Sequence, residues 1–139
     1  MVIVLSALAF IAIFLAASRY QWSVIERSVA RQFDDHVFPG IERGYRGDAC
    51  RVVLKRRVTR FGRQLVYIPG SVVRINALVK APDSTWHEFG AECHPSVGVK
   101  HFEVKALTSK QAFDIVASLA PALLTDHFTP SLPPNNTSR

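Results

Sequence analysis

The sequence predicts an α+β protein: an N-terminal transmembrane and amphipathic helix, an antiparallel sheet of about five strands, and a C-terminal helix packed on one face. Three observations carry this. Residues 2–17 hold no charge, residues 50–106 alternate side chains with period two between turn signals, and residues 109–123 return to helical spacing. The chain has 139 residues, and without its leader roughly 110 remain, enough for one small domain with a single core.

Residues 1–19 come first. As a helix, an uncharged run of about 16 residues rises roughly 25 Å, a little less than the ~30 Å hydrocarbon layer. A helix apolar on every face needs protein on all sides, and so small a domain can hardly supply it. A secretory signal carries a positive leading region and a small-x-small cleavage site. Ala16 and Ser18 fit the site, but only the amino terminus is positive before Val2. Arg19, Tyr20 and Trp22 follow, residue types suited to the membrane interface, where the two rings sit at headgroup level and the guanidinium snorkels. The segment is therefore read as a retained single-pass anchor, with a cleaved signal as the alternative. Arg19, Arg27 and Arg31 all follow the span, which slightly favours the cytoplasmic side for the body of the protein over the extracytoplasmic one.

Residues 20–48 are read as an amphipathic helix and a linker. Trp22, Ile25, Val29 and Phe33 recur at helical spacing, while Glu26, Arg27, Arg31, Asp34 and Asp35 take the other faces. Pro39 and three glycines then predict a break over 38–48.

Residues 49–128 form the sheet and the last helix. Five strands are expected, at 50–60, 64–68, 72–80, 85–93 and 99–107. A two-residue turn at Ser96 and Val97 sets Glu92 opposite His101 and Glu88 opposite Lys105. Phe89, Ala91, Phe102 and Val104 then share the other face, with Phe89, Phe102 and Val104 towards the helices. Full burial of Phe102 predicts a loss of roughly 3–5 kcal/mol on Phe102→Ala. Thr108 and Gln111 match a capping box, and Ala112, Ile115, Val116, Leu119 and Leu123 make one stripe of a helix that Pro121 must kink or restart. Residues 129–139 are read as a disordered tail.

The chain offers little chemistry of useful specificity. His87, Cys93, His94 and His101 lie within fifteen residues, yet strand alternation puts His87 and Cys93 on one face and His101 on the other, and no zinc spacing fits. Glu88 and Glu92 stand about 13 Å apart on a strand, too far for paired carboxylate catalysis. No nucleophile elbow, phosphate loop or metalloprotease helix is present, so no catalytic residue, metal or cofactor is assigned and the balance leans away from an enzyme. Cys50 and Cys93 share inward parity and would form either a core disulfide or two buried thiols.

Charge is the one feature above background. Residues 49–82 contain no acidic side chain and eight basic ones, while the rest of the chain has nine basic and eleven acidic. The whole excess of +6 therefore arises in this segment. Arginines on an edge hairpin also serve simply to keep it from pairing with other sheets. The functional alternative is a contact surface of Arg51, Lys55, Arg56, Arg57, Arg60, Phe61, Arg63, Val66, Ile68 and Arg74, an apolar patch rimmed by cations. It would suit an acidic protein partner or anionic lipid headgroups. Nucleic acid is disfavoured, since no binding motif accompanies the charge and a membrane tether restricts access. The expectation is a membrane-anchored, non-catalytic binding or assembly module. The alternative is a secreted or periplasmic disulfide-containing domain acting as an inhibitor or small hydrolase.

Overall fold

In a computed structural model, which describes residues 1–58, 65–68, 70–94 and 97–128, the chain is α+β, with one long N-terminal helix, a four-stranded antiparallel sheet and a short C-terminal helix. Helix α1 spans Val2–Gln32. It does not stop where the linker was expected. A π-helical turn over Phe33–Val37 leads directly into α2, Phe38–Gly44, so the rod is continuous for 43 residues. Pro39 falls in the first turn of α2, where the wide π turn before it makes room for a ring that a regular helix interior would reject. Phe38 and Ile41 are buried, so packing overrides the glycine-rich composition that suggested a linker. The rod ends at Tyr45, which bridges to Asp48 around Arg46 (φ 50°) and Gly47 (φ 85°), two left-handed positions that reverse the chain.

The strands are β1 (Arg51–Val58), β2 (Val73–Lys80), β3 (Trp86–His94) and β4 (Gly98–Leu107), paired in chain order. Among the described residues there are four strands and not five, because 65–68, the described part of the expected strand 64–68, does not supply one. The Tyr67 ring meets Trp22 edge-on at 5.3 Å, and the Tyr67 backbone N–H donates to the Ser18 hydroxyl. A backbone donor taken up by the helix is not available to a strand ladder. Alternation of side chains here records a segment lying against α1.

The last hairpin keeps the expected pairs, Glu92 opposite His101 and Glu88 opposite Lys105. Its turn is one residue longer than expected: His94 faces Gly98, and a bulge after Glu92 absorbs the slip. Gly98 adopts φ 86°, which a residue with a Cβ rarely does.

Helices cover both faces of the sheet. Val73, Ile75, Ala77, Val79, Phe89, Ala91 and Cys93 pack against Trp22, Val29, Phe33, Phe38 and Ile41 of the N-terminal rod, forming the main core. On the opposite face, Leu78 and Trp86 meet Ala112 and Val116 of α3, Ser109–Leu119. Helix α3 begins at the expected capping box: the Gln111 N–H donates to Thr108 Oγ1 at 3.2 Å, and the Thr108 N–H donates to Gln111 Oε1 at 2.9 Å. It ends before Pro121, which opens a single 3₁₀ turn. A final short helix, α4 (Leu124–Phe128), stacks Phe128 on Trp86 at 4.9 Å.

Phe102 takes the expected face and meets Phe89 edge-on at 4.1 Å, but it remains 48% exposed, because β4 is the outer strand of the sheet. Half-burial plus one aromatic pair lowers the expected cost of Phe102→Ala to about 1–2 kcal/mol. Urea unfolding of the full chain in mild detergent checks this, and a loss near the fully buried value would mean that something covers β4.

Candidate contact surface and the charged sheet face

Strand alternation divides the basic cluster between the two sides of the sheet. Lys55 and Arg57 lie towards the N-terminal rod, where both reach Asp34 in the π turn, at 3.6 and 2.8 Å. The Lys55 ammonium also sits over the Phe38 ring, 4.7 Å from its centre. Arg56 and Arg74 lie on the opposite face. Arg56 pairs with Glu88 at 3.1 Å, and Arg74 reaches Glu103 at 3.3 Å and Glu92 at 3.7 Å. Arg51 is exposed at the start of β1. Arg60, Phe61 and Arg63 lie outside the described residues. Val66 is half-buried and Ile68 exposed, near the point where Tyr67 meets α1.

These residues therefore do not make one continuous patch in their described part. What the sequence could not reveal was the position of the counter-charges. Asp34 lies 23 residues before Arg57, and Glu88 lies 32 after Arg56, so an acid-free stretch of sequence still folds among acids. The pairs are partly exposed, and each is worth no more than about 1 kcal/mol.

The face opposite the rod carries a network that charge counting missed. Asn76 is buried at the centre of β2 and donates its amide to Glu88 at 3.1 Å, while its oxygen accepts from Arg74 at 3.3 Å. Gly90 lies beneath the Arg74 guanidinium: a Cβ there would stand 3.4 Å from Arg74 Nη2 and 3.6 Å from Asn76 Oδ1. Both are ordinary contact distances, and the guanidinium lies directly over the strand at this position. A shallow cavity of about 200 Å³ is lined by Arg74, Asn76, Glu88, Gly90, Glu103 and Lys105. Arg74 and Lys105 line it together with Glu88 and Glu103, and Arg56 and Glu92 pair with members of the same network, so the cations and carboxylates balance. The arrangement orders the sheet face more than it attracts an ion of either sign. A signal for it was present in the alternate positions 74, 76, 88, 90 and 92, which put polar or small residues where a second apolar face would otherwise be.

Cys50 and Cys93 are free, buried thiols. Cys50 precedes Arg51, which pairs with Lys80, whereas Cys93 pairs with Val73 at the other end of β2. Seven strand steps separate those ends by roughly 23 Å, far beyond the ~7 Å Cα limit for a bridge. The candidate disulfide does not form. Burial pushes the Cys93 thiol up to about 11, and burial, then Asp48 and Asp83, raises Cys50. Neither is a thiolate at neutral pH, so neither is an activated nucleophile. Among the described residues, no group of three His, Cys, Asp or Glu side chains could hold a metal ion.

One helix, at the N-terminus, is long and apolar enough to cross a membrane, a property it shares with signal sequences. Residues 2–17 are exposed on all sides, and Arg19 and Tyr20 are exposed just beyond them. Trp22, expected at the interface with them, is instead buried in the main core against Tyr67. Its spacing from Val29 and Phe33 was the signal that decided its place. No protein-family model, curated protein or solved structure matches the chain.

Proposed function

We propose that this chain is a single-pass membrane-anchored, non-catalytic binding or assembly module whose basic first hairpin contacts an anionic surface, either an acidic protein partner or lipid headgroups. The observation that carries the anchor is the continuity of the apolar helix with the core; the contact rests on the charge excess of residues 49–82. Ser18, the residue after the apolar run 2–17, is buried, and Trp22, Val29 and Phe33 on the same helix are buried beneath the sheet. An anchor built this way holds the domain at the bilayer with no intervening linker. Cleavage at Ala16 or Ser18 would have to cut a helix beside a buried residue, which favours retention. Arg19, Arg27 and Arg31 after the span favour a cytoplasmic body, and two free thiols suit a reducing compartment. The Cys50–Cys93 bridge of the secreted alternative does not form, since the two thiols lie at opposite ends of the sheet.

The contact is tested at Arg60 and Arg63. Reversing Arg56 or Arg57 would set like charges beside Glu88 and Asp34 and confuse binding with folding. The double variant Arg60→Glu, Arg63→Glu of the full chain should keep the wild-type circular dichroism. It should lose both the preference of the reconstituted protein for anionic over zwitterionic lipid and any acidic protein that co-purifies with it. A folded variant that keeps every such contact would reduce the hairpin to a solvated edge.

A further inference from the structure

We infer that Leu65, Val66 and Ile68, in the connection between β1 and β2, form a second membrane contact that dips into the leaflet where α1 emerges. This rests on the proposal that residues 2–17 span a bilayer. Tyr67 places the segment: its backbone N–H donates to Ser18 Oγ, and its ring lies against Trp22. Ser18 directly follows the apolar run 2–17 and precedes Arg19, and the rise from Ser18 to Trp22 is about 6 Å. The headgroup layer on one side of a bilayer is of that same thickness, roughly 5–7 Å. A segment bonded to Ser18 and packed on Trp22 therefore lies at headgroup depth. Span length adds to this, because an apolar run of about 25 Å is shorter than the hydrocarbon layer, and a short span draws its flanking residues inward.

The side chains on either side of Tyr67 are the kind that depth favours. Leu65 is 75% exposed and Ile68 55% exposed, two large aliphatic groups that are more than half open to solvent, and Val66 is half-buried between them. Arg19 and Tyr20, both exposed at the same level of α1, complete an interfacial ring of apolar, aromatic and cationic groups. The far end of the sheet is different. Helix α1 and β2 both run away from this point, and the β2–β3 turn at Ser84 stands roughly a strand length, about 23 Å, further out. A lipid surface is thus the occupant that the geometry selects for Leu65 and Ile68. Two contacts, the span and this loop, would fix the tilt of the domain on the membrane, where one helix alone leaves it free to swing.

Depth-dependent fluorescence quenching tests this on the full chain reconstituted into vesicles of mixed zwitterionic and anionic phospholipid. Its own two thiols are buried, so a fluorophore can be attached at one new position at a time: Leu65→Cys, Ser84→Cys or Phe10→Cys. Nitroxide at the lipid headgroup should quench the probe at position 65 by about half or more and leave the probe at 84 nearly unchanged, as expected of an interfacial and an aqueous site. Nitroxide at mid-chain should quench the probe at position 10. If position 10 is quenched but 65 behaves like 84, the second contact is refuted while the anchor stands. If position 10 is not quenched either, the anchor itself is refuted and this inference falls with it.

Discussion

Replacing Phe33 with alanine should destabilise the protein by about 3–5 kcal/mol, the cost of removing a fully buried aromatic ring and leaving a cavity. Phe33 has no exposed surface and lies in the π turn that joins α1 to α2, with its ring 5.8 Å from that of Phe38. It belongs to the core that fastens the N-terminal rod to the sheet. The alternative fastening is ionic, through Asp34 to Lys55 and Arg57, but those side chains are about two-fifths exposed. Such pairs contribute no more than about 1 kcal/mol each, so apolar burial decides whether rod and sheet move as one body. Urea unfolding of the full chain in mild detergent, followed by circular dichroism, checks the value. Asp34→Asn should cost much less in the same assay. A Phe33→Ala variant within about 1 kcal/mol of wild type would mean that the rod is not seated on the sheet.

The parts of this fold that the sequence made legible are those governed by local spacing. The apolar run, the stripe through Trp22, Val29 and Phe33, the Thr108 capping box and the pairing of Glu88 with Lys105 each depend on residues a few positions apart or on one hairpin. What misled was a local pattern overruled by a distant partner. Pro39 and its neighbouring glycines suggested a linker, but burial of Phe38 and Ile41 against the sheet keeps the segment helical. Alternation through 64–68 suggested a fifth strand, but Ser18, 49 residues earlier, takes the Tyr67 donor. Phe102 was assigned the right face, yet parity does not tell how far a covering helix reaches. The candidate contact surface was the least legible element, since a count of charges along the chain contains no information on which face each occupies or which acid folds back to meet it. Asn76 acquires meaning only once Arg74 is seen bonded to it.

Raising the pH should selectively weaken the protein through Cys93. Its thiol sits in the main core, and burial raises it from an ordinary value near 9 to about 11. Between those values the unfolded chain has released this proton and the folded chain still holds it, so folding becomes less favourable as pH rises through the window and levels off above it. The slope is about 1.4 kcal/mol per pH unit, giving roughly 2–3 kcal/mol across two units. Lysines and tyrosines titrate in the same range and act in both wild type and variant, so the difference between wild type and Cys93→Ala isolates the thiol. At neutral pH the variant should be the less stable of the two, having lost a buried sulfur. As the pH approaches 11 the gap should narrow by about 2–3 kcal/mol or reverse sign, because alanine has no proton to release. Cys50 shifts in the same direction and is unchanged in both proteins, so it leaves the difference intact. Unfolding curves that stay parallel from pH 8 to 11 would show that the Cys93 thiol titrates as freely in the folded chain as in the unfolded one. That result would remove the far end of β3 from the core beneath the N-terminal rod.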